Sequence, residues 1–167
     1  MKKLNIKLTG LNSKVRPFCL VDGKQVKLVE DKFGGFDATV ETENSQVEVE
    51  VSRVLEHSGK LWWLYNILSF IVSLFGIFEP RYDKKCVAIN CKLKVNLNET
   101  CELKLKFNPF SSSKACEIET QCEYSEISNE YYVDKTAKRR WRLSVVFKVI
   151  AWVAIIVAAV VLIAKAV

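Results

Sequence analysis

The feature that most restricts this chain is the run LSVVFKVIAWVAIIVAAVVLIA, Leu143 to Ala164, in which Lys148 is the only charge. Twenty-two residues at the helical rise reach about 33 Å, enough to cross a hydrocarbon core of about 30 Å. A helix apolar on every side would need covering all round in a soluble fold, so the run predicts a transmembrane helix. Lys148 lies close enough to its start to snorkel toward the headgroups, with Trp141 and Trp152 near the same interface.

Charge along the chain gives this span a direction. The formal net charge of +6 invites a nucleic-acid reading until it is located. Residues 1–134 carry 18 basic against 19 acidic residues, and residues 135–167 carry 7 basic residues and no acid. The excess sits at Lys135, Lys138, Arg139, Arg140 and Arg142, beside the span, where Lys and Arg tend to stay cytoplasmic. Lys138, Arg139, Arg140 and Arg142 are the candidate contacts to anionic lipid, each contributing about 1 kcal/mol near a charged surface. The start, MKKLNIKLTGLN, has no apolar run before Gly10 and does not read as a signal peptide. The expectation is a single-pass membrane protein, anchored at its tail, with residues 1–134 in the cytosol and residues 135–142 as a basic juxtamembrane linker.

A second apolar run interrupts the domain. LWWLYNILSFIVSLFGIF, residues 61–78, is uncharged between Lys60 and Glu79. As a helix it puts Asn66, Ser69, Ser73 and Gly76 on one narrow small-polar stripe, with apolar side chains around the rest. Pro80 would stop it. A full crossing would separate the strands on either side of it and place Arg81, Lys84, Lys85 and the basic cluster outside, against the charge rule. Three burials stay open: in or dipping into the cytoplasmic leaflet, which is favoured; against the carboxy-terminal helix or a partner's span through the Ser69 and Ser73 face; or as a lid over the domain. The favoured reading makes Trp62, Trp63, Ile67, Phe70, Ile71, Leu74, Phe75 and Phe78 membrane contacts, within an insertion bounded at 61–79.

Around these runs the chain alternates as half-buried strands do. Leu4, Ile6 and Leu8 alternate with polar residues, as do Val47, Val49 and Val51, and VDGK carries an Asp22-Gly23 hairpin signal. GGFDATVET supplies another strand. In CVAINCKLKVNL, residues Val87, Ile89, Cys91, Leu93, Val95 and Leu97 share a face; in CELKLKF, Cys101 joins Leu103, Leu105 and Phe107; in CEIETQCEY, Cys116 and Cys122 join Ile118 and Tyr124. Lysines on early strands and glutamates on later ones, Lys3 and Lys7 with Glu48 and Glu50 among them, read as cross-strand charge pairing. The total is roughly eight strands, hence a mainly β fold, an antiparallel sandwich. VDGK resembles a hairpin of PEGA and carboxypeptidase-regulatory sandwich repeats, though four residues assign no family. SEISNEYYVDKTAKRRWR reads as a linker to the span.

Reactive groups are few. The six cysteines form no CxxC pair and the chain has one histidine, so neither a metal nor another cofactor is expected. Four cysteines fall on apolar strand faces, where a thiol behaves as a small hydrophobe, and reduced core cysteines suit a cytosolic domain. His57, in the polar stretch EHSGK, reads as solvated or interfacial. No catalytic motif is present, so no enzyme is expected, and the near-neutral domain argues against nucleic acid. The expected partners are the lipid bilayer and a protein in or at the membrane, with homo-oligomerisation open through Ala151, Ala154 and Ala158. The reading is a non-enzymatic interaction or assembly module at a membrane; the alternatives are a subunit of a transport or secretion complex and a lipid-binding or lipid-modifying protein.

Overall fold

The computed structural model describes residues 1–10, 17–53, 55, 57–75 and 85–166. The chain divides into two compact units: Met1–Val54 with Val87–Val133, and Leu55–Cys86 with Asp134–Val167.

The first unit is all β. Its strands are β1 (Lys2–Thr9), β2 (Pro17–Val21), β3 (Lys24–Val26), β4 (Val29–Glu30), β5 (Phe36–Thr42), β6 (Gln46–Arg53), β7 (Val87–Asn96), β8 (Thr100–Phe107), β9 (Cys116–Thr120) and β10 (Tyr124–Val133). They form two five-stranded sheets, ordered β4-β5-β1-β8-β9 and β10-β7-β6-β2-β3. Leu4, Ile6 and Leu8 of β1 and Leu103 and Leu105 of β8 share one buried cluster with Val47, Val49 and Val51 of β6 and Cys91, Leu93 and Val95 of β7. The expected sandwich-like layering is therefore present, and the alternation in each strand is what builds it.

Local rules account for two of the turns. Asp22 and Gly23, at φ of 50° and 74°, link β2 to β3 as a two-residue hairpin. Asp22 also accepts from the Glu48 amide at 2.8 Å and the Asn44 side-chain amide at 3.0 Å. Gly10 ends β1 at φ +77°, and a Cβ there would stand 2.7 Å from the Phe107 carbonyl oxygen. Only glycine fits that position.

The structure corrects several expectations for this unit. The described strands number ten, and one pair, β1 with β8, is parallel, which the long chain between them permits. Lys3 and Lys7 stand opposite Glu41 and Asp37 across β5, because β1 and β6 lie in different sheets. Lys92 is the residue that reaches Glu48, at 2.8 Å. CEIETQCEY is not one strand: β9 stops at Thr120, and Tyr124 opens β10 in the other sheet with its side chain exposed. Ser125–Val133, expected as linker, completes β10 beside β7.

Two of the cysteines also depart from the expected thiols. Cys101 and Cys122 are joined in a disulfide, while Cys19, Cys86, Cys91 and Cys116 are buried outside any disulfide. Strand register explains the pairing. Leu103 faces Thr120 and Leu105 faces Ile118 between β8 and β9, so two residues further along the same antiparallel register Cys101 meets Cys122. Their Cα atoms are 6.1 Å apart.

The second unit is helical: α1 (Trp62–Leu74) and α2 (Lys135–Ala166). Asp134 caps α2, its carboxylate accepting from the amides of Thr136 and Ala137 at 2.9 and 3.0 Å. Residues 135–142 are the first two turns of that helix. Lys135–Lys165 is the one described helix long and apolar enough to cross a membrane, and its most apolar stretch is unburied.

Candidate membrane-contact site

The insertion is helical over a shorter span than expected. α1 runs from Trp62 to Leu74 and closes at Phe75; Phe78, with residues 76–84, lies outside the described residues. Its small-polar stripe is the covered side: Ser69 is buried and Asn66 and Ser73 are half-buried. Trp63, Ile67, Ile71 and Leu74 are about half exposed, and Phe75 more so. Trp62 and Phe70 are half-buried at the edges of the stripe.

α1 packs on α2, the second of the burials anticipated from the sequence. Trp62, at the start of α1, lies under the Arg140 guanidinium at 5.8 Å, near the start of α2. Two turns later Phe70 meets Trp152 edge to face, with ring centroids 6.0 Å apart. Both helices therefore run in the same direction. Counted from Leu143, Trp152 lies about 14 Å along the apolar part of α2. α1 thus accompanies the first half of that apolar stretch instead of crossing it at right angles.

The two ends of the insertion are tied to the same end of α2. Arg140 Nη1 donates to the carbonyl oxygens of His57, Ser58 and Gly59 at 3.0, 2.9 and 3.2 Å. At the other end the Asp134 amide donates to the Cys86 carbonyl at 3.0 Å. Arg140, expected as a lipid contact, thus spends one guanidinium nitrogen on the loop before α1. Lys138, Arg139 and Arg142 surround it on the first turns of α2, with Arg139 and Arg142 exposed. His57 is 2% exposed, not solvated as expected, because the loop carrying it is folded down by Arg140.

Between the helices lies a groove of about 430 Å³, lined by Trp62, Trp63, Asn66, Ile67 and Phe70 of α1 and Ser144, Phe147, Lys148 and Ala151 of α2. Its size is that of a small-molecule site. Asn66 Nδ2 donates to the Trp62 carbonyl at 2.7 Å, which leaves the buried Oδ1 without a partner among the described residues; the buried Ser69 hydroxyl has none either. The sequence foreshadowed the helix and its stripe, but not the groove.

No family model matches the chain, and no curated protein or solved structure matches it significantly.

Among the described residues no three His, Cys, Asp or Glu side chains are grouped to hold a metal. The Tyr131 hydroxyl donates to the Asn108 carbonyl at 2.7 Å while its ring meets Phe110, over which Arg53 stacks at 5.8 Å. Burial pushes the Tyr131 phenol up to about 12. Cys91 and Cys116, one from each sheet, approach to 3.0 Å between sulfurs, and their hydrogen bond together with burial holds the Cys91 thiol well above the ordinary thiol range. The Cys91 thiol therefore stays protonated and is a poor nucleophile.

Proposed function

We propose that this protein is a non-enzymatic interaction or assembly module, a β-sandwich held at the cytosolic face of a membrane by α2 as a single-pass anchor. In this reading α1 is a second membrane contact, a re-entrant element that enters the leaflet beside α2. The observation that carries it is the parallel run of α1 along α2, from Trp62 at Arg140 to Phe70 at Trp152, with an apolar outer surface on both helices. A soluble helix pair would turn a charged face to water. The basic turns of α2 support the cytosolic orientation, and the burial of His57 and of the four cysteines outside the disulfide supports a non-catalytic role.

Two points bind the unit to the bilayer, which suits a module that must present one surface repeatedly to a partner in or at the membrane. A subunit of a transport or secretion complex would use the same arrangement, with the outer face of α1 against a neighbouring span.

A second reading follows from the Cys101–Cys122 disulfide, since such bonds persist on the oxidising side of a membrane. Protease protection of the full chain in sealed membranes separates the two. Digestion of the β unit from the cytosolic side, with α1 and α2 protected, supports the proposed orientation. Protection of the β unit would place it on the oxidising side, where the exposed sequon Asn98-Glu99-Thr100 would also be open to glycosylation.

A further inference from the structure

The groove between α1 and α2 has the chemistry of a lipid site. Its walls are mostly apolar, with Asn66, Ser144 and Lys148 as the polar lining residues, and it lies alongside the part of α2 that follows the basic turns. One turn before Ser144, on the same face of α2, stands Arg140, over the ring of Trp62 that lines the groove. Three backbone carbonyls fix its Nη1, while Nε and Nη2 have no acceptor among the described residues. A guanidinium held this way is a positioned donor for a phosphate oxygen. Beyond it the buried Asn66 Oδ1 awaits a donor. Cation, then acceptor, then apolar trough is the order of groups met along an anionic phospholipid, from phosphate to headgroup or glycerol hydroxyl to acyl chain.

We propose that this groove binds one anionic glycerophospholipid, its phosphate at Arg140 and one acyl chain lying between Trp62, Phe70, Phe147 and Ala151. The charge beside the groove decides against a partner's transmembrane helix as occupant, since such a helix would bring no anion to Arg140. The inference rests on the proposed insertion of α1 into the membrane.

The test uses the full chain with Trp141→Phe and Trp152→Phe, so that of the four tryptophans only Trp62 and Trp63 report. It is placed in phosphatidylcholine vesicles in which roughly one lipid in ten is either acyl-brominated phosphatidylglycerol or acyl-brominated phosphatidylcholine. The expected result is quenching by the anionic lipid about fivefold more effective at equal mole fraction, the factor for one charge at a membrane surface. Ala151→Leu, which fills the groove, and Arg140→Gln, which keeps an N–H for the carbonyls and removes the charge, should each abolish that preference. Equal quenching by the two lipids, or a preference that survives both substitutions, would overturn the lipid site. Quenching that falls as the protein-to-lipid ratio rises would put a second copy in the groove and overturn it too. Vesicles made wholly of brominated phosphatidylcholine separate this failure from that of the underlying reading: they quench both tryptophans if α1 is in the bilayer, and neither if it is not.

Discussion

Phe70 and Trp152 meet edge to face, their ring centroids 6.0 Å apart and their planes at 81°. The contact joins the middle of an insertion from the first half of the chain to the apolar body of the last helix. Aromatic pairs in this geometry contribute about 0.5–1.5 kcal/mol beyond area burial. A double-mutant cycle of Phe70→Ala and Trp152→Ala, followed by denaturation of the full chain in micelles, should return a coupling of about that size. Strict additivity would mean that α1 does not rest on α2 there.

Arg140 ties the loop before α1 to α2 through three carbonyls. Arg140→Ala removes their donor and should loosen residues 57–60 without unfolding the β unit. Tryptic cleavage after Lys60, which is exposed, should quicken about tenfold, equivalent to about 1.4 kcal/mol of easier local opening.

The Cys101–Cys122 disulfide closes the far end of the β8–β9 pair. The double change Cys101→Ser with Cys122→Ser should lower the stability of the β unit by about 2–4 kcal/mol. Reductant should cost the natural chain a similar amount and leave the variant unaffected. Denaturant titration with and without reductant reads both.

Cys91 packs wholly buried against Cys116, between the two sheets. Cys91→Ser replaces a thiol that hydrogen-bonds Cys116 Sγ with a buried hydroxyl, and should cost about 1–3 kcal/mol by urea titration. No loss would contradict the packing of the two sheets at this point.

Alkali should unfold the β unit before it harms the helices. Burial pushes Cys19 from an ordinary 9.0 up to about 12 and Tyr131 from 10.0 up to about 12, and Cys91 is raised in the same sense. The folded state keeps these protons longer than the unfolded chain does. Stability from these groups is thus complete below pH 9.0 and is lost as pH rises toward about 12. Tyr131→Phe should flatten the upper part of that loss, as followed by circular dichroism.

How much of this was legible follows from how each element is buried. β1, β6, β7 and β8 each turn one face to the core, so period-two alternation of Leu4-Ile6-Leu8 or Val47-Val49-Val51 located them and named their inward residues. β10 left no such trace. It is an edge strand, and its one buried side chain is a polar one: Asn129 satisfies the Cys116 backbone, accepting from its amide at 2.9 Å and donating to its carbonyl at 2.8 Å. Face parity placed Cys101 and Cys122 inside, but their pairing depends on the register between β8 and β9, which alternation alone does not set. In the helical unit, composition marked both apolar helices and the Ser69 stripe. The direction of α1 depends on Arg140 reaching back to residues 57–59, a contact between positions about eighty apart in sequence, and no local pattern encodes it.

Shared insertion of α1 and α2 in one bilayer can be read by lipid photo-cross-linking. A photoreactive phenylalanine analogue replaces Ile71 on the outer side of α1, Val157 on α2, or Phe33 in a loop of the β unit, each in the full chain in vesicles; all three positions are exposed. Shared insertion gives comparable lipid adducts from the first two positions and none from the third. Adducts at Val157 alone, with Ile71 as silent as Phe33, would contradict it.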